Sequence, residues 1–251
     1  MKLIRVAHTI YGFFVFSVLF FLVLPLLLIP IALPGKFKLV GVFNRWWAKL
    51  MFIFCFLPFR VETRGKLDSN RQYIFCPNHF SYLDIPTMGL NPINAFFVGK
   101  NDMEKIPFFG FMYRKLHITV DRKSMRSRSE TILASMKAID SGKSLVIYPE
   151  GGMATKNPPQ MVPFKDGAFR TAIEKQIPIV PVTIPYNWII LPDQKKMILH
   201  AGKVKVIFHQ PIETKGMTLE SISLLKQQVF SVIQSELSKS FTTKRQKAED
   251  R

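Results

Sequence analysis

Residues 73–84 read Tyr-Ile-Phe-Cys-Pro-Asn-His-Phe-Ser-Tyr-Leu-Asp. Tyr73–Cys76 is a short β-like run closed by Pro77, and a helix-like stretch from Ser81 to Met88 follows it. A strand that passes straight into a helix is the repeating unit of an α/β fold, and such folds gather their ligands where strands end. His79 stands at that junction. With a helix beginning near Ser81, the turn at Asn78-His79 brings the Asp84 carboxylate back to the imidazole. A carboxylate on one ring nitrogen fixes the tautomer and stabilises the imidazolium, which leaves the other nitrogen to take up a proton.

The same alternation continues downstream. Further β-like runs lie at Ala95–Val98, Ile118–Val120, Leu145–Tyr148, Ile179–Ile184 and Val204–Phe208. Helix-like stretches separate them at Phe108–Lys115, at Arg128–Ser141 before a capping Gly142, and at Lys165–Gln176. Leu219–Leu237 reads as a long amphipathic helix. Strands alternating with helices imply an α/β fold, a mixed and largely parallel sheet flanked by helices. The 251 residues suit one such domain with an appendage. Two cysteines, Cys55 and Cys76, exclude a disulfide framework and fit buried thiols in a reducing compartment.

The appendage lies at the front. Mean hydropathy is +0.14, high for a soluble protein. The first acidic residue is Glu62, and no Lys, Arg, Asp or Glu lies between Arg5 and Lys36. The apolar run Ile10–Leu33 exceeds the ~20 residues that a hydrocarbon core requires. It is also longer than the roughly 7–15-residue core of a signal peptide and lacks a small-x-small site, so it is expected to stay in the chain. Pro25 and Pro30 interrupt it. A second apolar stretch, Trp46–Phe59, is too short to cross and opens with a tryptophan pair typical of a membrane interface. One bent crossing or a helical hairpin dipping into one leaflet both satisfy this pattern. The hairpin leaves both ends on the basic, cytoplasmic side and is preferred. The expected organisation is therefore two hydrophobic membrane-anchoring helices in residues 1–60, a domain at 61–240 and a polar tail at 241–251, at the cytoplasmic face of the inner (cell) membrane.

Formal charge is +18, yet the basic residues are scattered and show neither finger spacing nor a basic helix, so nucleic acid is not an expected partner. Basic residues beside a membrane anchor are attracted to anionic lipid by roughly 1 kcal/mol each near the surface. A lipid bilayer and an anionic substrate explain the charge. The five histidines, His8, His79, His117, His200 and His209, have no ligand spacing, so no metal is expected. No G-x-S-x-G elbow and no suitably placed cysteine supplies a nucleophile to His79 and Asp84. The nucleophile is therefore expected from the substrate, as an alcohol.

Asn78-His79-Phe80-Ser81-Tyr82-Leu83-Asp84 resembles the H-x4-D motif of the glycerolipid acyltransferases, the 1-acylglycerol-3-phosphate (lysophosphatidate) acyltransferase family. Three further blocks follow in that family's order. Lys100, Ile106-Pro107-Phe108-Phe109-Gly110 and Ile118-Thr119-Val120-Asp121-Arg122 resemble the second. Tyr148-Pro149-Glu150-Gly151 resembles the third, usually F-P-E-G-T-R, and Ile177-Pro178-Ile179-Val180-Pro181-Val182 the fourth. The likeness covers about residues 60–210.

The resemblance implies the glycerolipid acyltransferase fold, with His79 as base and Asp84 as its partner. It implies that the free hydroxyl of lysophosphatidate attacks an acyl thioester directly, without an acyl-enzyme, to give phosphatidate. Acyl-CoA or acyl-carrier protein is the implied co-substrate, with no other cofactor. Arg122 with the Glu150-Gly151 turn is implied to hold the acceptor phosphate, a role that suits the bidentate guanidinium. Asn78, Lys100, Phe109, Gly110 and Lys165 complete the expected substrate-binding set. Lys100 faces either the phosphate or a developing oxyanion. Glu150 cannot itself attract phosphate and is expected to orient a basic neighbour or to accept a hydroxyl or backbone N–H. One departure stands out: Gly152-Met153 replace the usual Thr-Arg, and Lys165 is expected to take over part of the missing arginine's role. That departure keeps open another lysolipid or an acylated amino-acid lipid as acceptor. A non-catalytic lipid-binding protein and a hydrolase using water are the remaining alternatives.

Overall fold

Seven strands form one sheet in the order β1-β7-β6-β2-β5-β3-β4 in the computed structural model, which describes residues 2–121, 124–194 and 197–249. They are β1 (Phe59–Thr63), β2 (Ile74–Pro77), β3 (Ala95–Lys100), β4 (Ile118–Val120), β5 (Ser144–Ile147), β6 (Ile179–Thr183) and β7 (Val204–Phe208). Every neighbouring pair is parallel except β6–β7, which is antiparallel. The mixed, largely parallel α/β sheet expected from the sequence is the one observed. β1 was not expected. Its Phe-Arg-Val-Glu-Thr is mostly polar and exposed, as an edge strand is, and it begins where the apolar stretch ends.

Both faces of the sheet are covered. Ile74 and Cys76 of β2 point to a layer built by α5 (Met125–Asp140), α6 (Gly167–Lys175) and α8 (Ile222–Glu249). Phe75 points the opposite way, toward α2 (Lys38–Phe54) and α3 (Asp84–Met88). This alternation along a strand explains why β2 is apolar and buried at every position. α5 ends as expected at Gly142, whose φ of +84° suits glycine in a helix stop. α8 continues to Glu249, so the polar stretch expected as a tail has helical backbone. Its Lys, Arg, Gln, Ala and Glu residues are all good helix formers.

α3 starts at Asp84 rather than near Ser81. The Asp84 carboxylate takes the Phe80 and Ser81 amides, and the Ser81 hydroxyl takes the Leu83 amide while donating to the Leu191 carbonyl. These side-chain bonds hold residues 80–83 as a turn and delay the helix.

α1 (Lys2–Ala32) runs unbroken past Pro25 and Pro30, and a turn at Leu33–Phe37 returns the chain as α2. The pair is antiparallel: His8 Nε2 meets the Cys55 carbonyl at 2.9 Å, and the Phe16 and Trp47 rings meet at 5.2 Å. Val15, Leu19, Val23 and Leu27, one helical turn apart, pack into the protein, each such burial being worth ~1.5–3 kcal/mol. Leu3, Ile10, Phe13, Phe14, Phe21 and Leu22 remain exposed, a wider apolar band than soluble surfaces tolerate. Leu3–Ala32 is long and apolar enough to cross a membrane. It also packs on the domain, with Phe20 against Phe109 and Phe21 against Phe108 of the α4 region (α4, Phe109–Leu116).

Candidate active site

Three adjacent central strands, β6, β2 and β5, deliver their carboxyl ends to one place. His79 follows β2, Tyr148 follows β5, and Ile184 follows β6. Asn78 joins two of these ends: its amide donates to the Ile184 carbonyl at 3.0 Å and accepts the Ile184 N–H at 2.7 Å. Asn78 is fully buried with its side chain engaged in that clamp, so the structure places it in the frame beneath the site rather than toward a substrate.

His79 Nδ1 lies 3.1 Å from Asp84 Oδ2. The same oxygen accepts the Phe80 and Ser81 amides at 2.8 and 2.9 Å, and Oδ1 accepts Asn187 Nδ2 at 2.9 Å. Asp84 thus accepts four hydrogen bonds while buried, an arrangement that holds the carboxylate and the imidazole in one geometry. The sequence reading missed Asn187. It opens α7 (Asn187–Ile190), 103 residues from Asp84, and nothing in the order of residues pairs the two. The His79 ring lies against the Tyr148 ring, with centroids 4.0 Å apart and planes at 26°. With Nδ1 committed to Asp84, Nε2 is the nitrogen left to exchange a proton.

Glu150 binds beneath His79 and fits the backbone N–H option of the sequence reading. Its Oε1 accepts the His79 amide at 2.8 Å and its Oε2 the Val162 amide at 3.2 Å. Burial pushes its carboxyl up to about 7; the two backbone amides oppose that shift and the Asp84 charge adds to it. Between its ordinary 4.5 and about 7, the folded chain holds a proton that the unfolded chain has lost. Stability from this group is therefore fully present below pH 4.5 and falls as the pH rises toward 7. Over that interval the protein is expected to lose on the order of 3 kcal/mol relative to Glu150→Gln. Denaturant midpoints of both chains across this pH range measure the difference, and parallel pH curves would contradict it.

Gly151, at φ +79°, makes the turn that follows Glu150, and a Cβ there would meet Lys165 Cγ at 3.4 Å. The Lys165 amide donates to the Pro149 carbonyl at 2.8 Å. His79, Asp84, Glu150, Gly151 and the exposed Lys165 are thus brought to one edge of the sheet. Arg122 lies outside the described residues. Gly110 is buried, where a Cβ would collide with the Glu104 carbonyl; close backbone packing accounts for this glycine.

A cavity of about 900 Å³ opens beside His79. Phe13, Phe16, Phe20, Val23 and Leu27 of α1, Trp47 and Met51 of α2, and Phe109 and Met112 of α4 line it. Phe109 is therefore part of an apolar wall, stacked on Tyr113 and tilted against Phe20. Lys100 lines the cavity too, paired with Asp102. Gly152 and Met153 lie on the lining as well. The N-terminal helices thus complete the site, a contribution hidden in a stretch that reads from sequence as an anchor. Among the described residues, no group of three or more His, Cys, Asp or Glu could hold a metal ion.

The family described as Acyltransferase matches residues 58–185. The chain is 29% identical over 175 residues to the chloroplastic 1-acyl-sn-glycerol-3-phosphate acyltransferase BAT2 of Brassica napus, covering 68% of this chain and 50% of that protein. It is 30% identical over 193 residues to the 1-acyl-sn-glycerol-3-phosphate acyltransferase of Haemophilus influenzae, covering 73% of this chain and 75% of that protein. The chain thus spans about half the length of the plant relative. Among solved structures, it shares its fold with the 1-acyl-sn-glycerophosphate (LPA) acyltransferase PlsC of Thermotoga maritima. The TM-score is 0.78 at 22% identity, over 95% of this chain and 96% of that one.

Proposed function

The chain belongs to the acyltransferase family, and from that premise we propose that it transfers a fatty acyl group from an acyl thioester to the free hydroxyl of lysophosphatidate, giving phosphatidate. The observation that carries this reading is the meeting of the His79–Asp84 pair with the apolar cavity. An acyl chain seated there brings its thioester carbonyl to His79. The names of the relatives support the choice of acceptor. Acyl-CoA or acyl-carrier protein supplies the thioester.

Each group has one task in the transfer. His79 Nε2 takes the proton of the acceptor hydroxyl as its oxygen attacks the thioester carbon. The tetrahedral intermediate then collapses, the C–S bond breaks, and the thiolate takes the proton back from the imidazolium. One ester forms and one thioester is lost, with no side chain acylated. Asp84, held by Asn187 and two amides, orients the imidazole and offsets its charge. The exposed apolar band of α1, with Lys36, Lys38 and Lys49 nearby in sequence, seats the hairpin in one leaflet at the cytoplasmic face. The cavity mouth then meets lipid.

Lys165 beside the Glu150-Gly151 turn supports phosphate recognition at that edge. A charged hydrogen bond is worth ~1.5–3 kcal/mol, so Lys165→Ala should raise KM for lysophosphatidate about tenfold and leave kcat nearly unchanged. KM for monoacylglycerol, which has no phosphate, should not move. An unchanged KM for lysophosphatidate would remove Lys165 from the phosphate site. The function itself is tested by identifying the product by mass from palmitoyl-CoA and competing acceptors. Phosphatidate as main product supports the reading, whereas preference for lysophosphatidylcholine or an acylated amino-acid lipid would move it to another acceptor.

A further inference from the structure

A strained turn stands at the rim of the cavity. Phe108 has φ +60° and ψ −50°, and the Phe109 amide donates to the Pro107 carbonyl at 2.6 Å, closing a γ-turn of the rare, strained hand. Glycine adopts a positive φ freely; a phenylalanine held there by its surroundings points to function. The turn divides its neighbours into two sets. Ile106, Pro107, Phe109 and Met112 line the cavity, whereas Phe108 and Phe111 do not and are 64% and 45% exposed. The Phe108 ring meets Phe21 of α1 edge-on at 5.7 Å, and Phe21 is itself exposed. The apolar band of α1 therefore continues across the cavity rim onto the α/β domain. Lys105, Arg114 and Lys115 are exposed beside it, and residues 100–115 carry four basic residues against two acidic ones.

We propose that Phe108 and Phe111 form a second membrane contact, inserted in the anionic leaflet that seats α1, so that the cavity mouth lies between two lipid-embedded edges. This rests on the acyl-transfer reading and the seating of α1 given above. Apolar rings flanked by cations suit an anionic phospholipid surface: the rings supply buried apolar area and the cations are attracted to the headgroups. A lysophosphatidate in that leaflet passes sideways into the cavity without its acyl chain meeting water. The γ-turn holds the Phe108 ring out of the cavity and against Phe21.

Cys55 and Cys76 are buried, so a cysteine placed at the surface of the full chain can be labelled selectively. A nitrobenzoxadiazole probe at Phe108→Cys should brighten about twofold or more in phosphatidylglycerol–phosphatidylcholine vesicles, and spin-labelled lipid should quench it. A probe at Phe14→Cys, on the exposed band of α1, should respond alike; one at Ser231→Cys, exposed on α8, should not. Phe108→Gly removes both the ring and the strain, so Tm should hold. In that variant KM for vesicle-borne lysophosphatidate should rise about threefold or more, while turnover of a water-soluble hexanoyl acceptor stays unchanged. A Phe108 probe open to aqueous iodide while the Phe14 probe is protected would overturn the proposal. So would equal losses on both acceptors with a lowered Tm, which would make the turn a structural one. A Phe14 probe that also stays in water would instead overturn the seating of α1, and absence of acyl transfer by the unaltered protein would overturn the acyl-transfer reading.

Discussion

His79→Ala should lower kcat for acyl transfer by about 10²–10⁴-fold, the range for a lost general base. The size of the effect follows from the site's composition. His209 is engaged with Thr183 at the end of β6, His117 accepts the Phe97 amide, and Glu150 lies beneath His79 with its carboxyl turned to two backbone amides. The folded state should survive the change. Removing the ring leaves Asp84 with the Phe80 and Ser81 amides and Asn187, so no buried charge is stranded. Steady-state kinetics beside a thermal melt check both halves, and a kcat within threefold of the parent would remove His79 from the chemistry.

Asp84→Asn should cost a similar amount in kcat, on the order of 10³–10⁴-fold, and should also destabilise the fold. Four N–H groups converge on this carboxylate. An amide offers one oxygen, and its NH₂ must then face a donor. The clash turns the imidazole toward its other tautomer, with Nε2 protonated and unable to accept. In the Ser-His-Asp triad the corresponding change costs about 10⁴ in kcat through the wrong tautomer. Unlike His79→Ala, this variant strands a buried donor, which costs about 1–3 kcal/mol. A paired loss of kcat and Tm is expected; full activity at lowered Tm would reduce Asp84 to a structural role.

Local signals made much of this legible in the sequence. Tyr73–Cys76 has the uniform apolarity of a strand covered on both faces, and a histidine followed by Asp five residues on needs only one turn to close, a turn the Phe80 and Ser81 amides supply. Gly142 marked the end of α5 because a positive φ favours glycine. β1 escaped notice because an edge strand of alternating polarity beside a long apolar run carries little signal of its own. At the site, the limits were nonlocal. Asn187 reaches Asp84 only because β6 and β2 are neighbours in the sheet, and sheet order is not written in the spacing of strands. Asn78 and Gly110 fall within the blocks that carry the family likeness, yet the Ile184 clamp and the Glu104 carbonyl show each serving the frame. α1 read as an anchor from its hydropathy alone, and its cavity-lining residues could not be distinguished from the rest until it packed on the domain. Phe13 and Phe14 are adjacent and alike in chemistry, yet only Phe13 lines the cavity.

The central claim is direct transfer from thioester to substrate hydroxyl through His79. Rapid-mixing measurement of thiol release from palmitoyl-CoA, with and without lysophosphatidate, tests it most directly. The account predicts negligible release without acceptor, then release matched one-to-one by phosphatidate once acceptor is added. A stoichiometric burst of thiol without acceptor would reveal an acyl-enzyme, and sustained release without acceptor would reveal a hydrolase; either result would contradict the account.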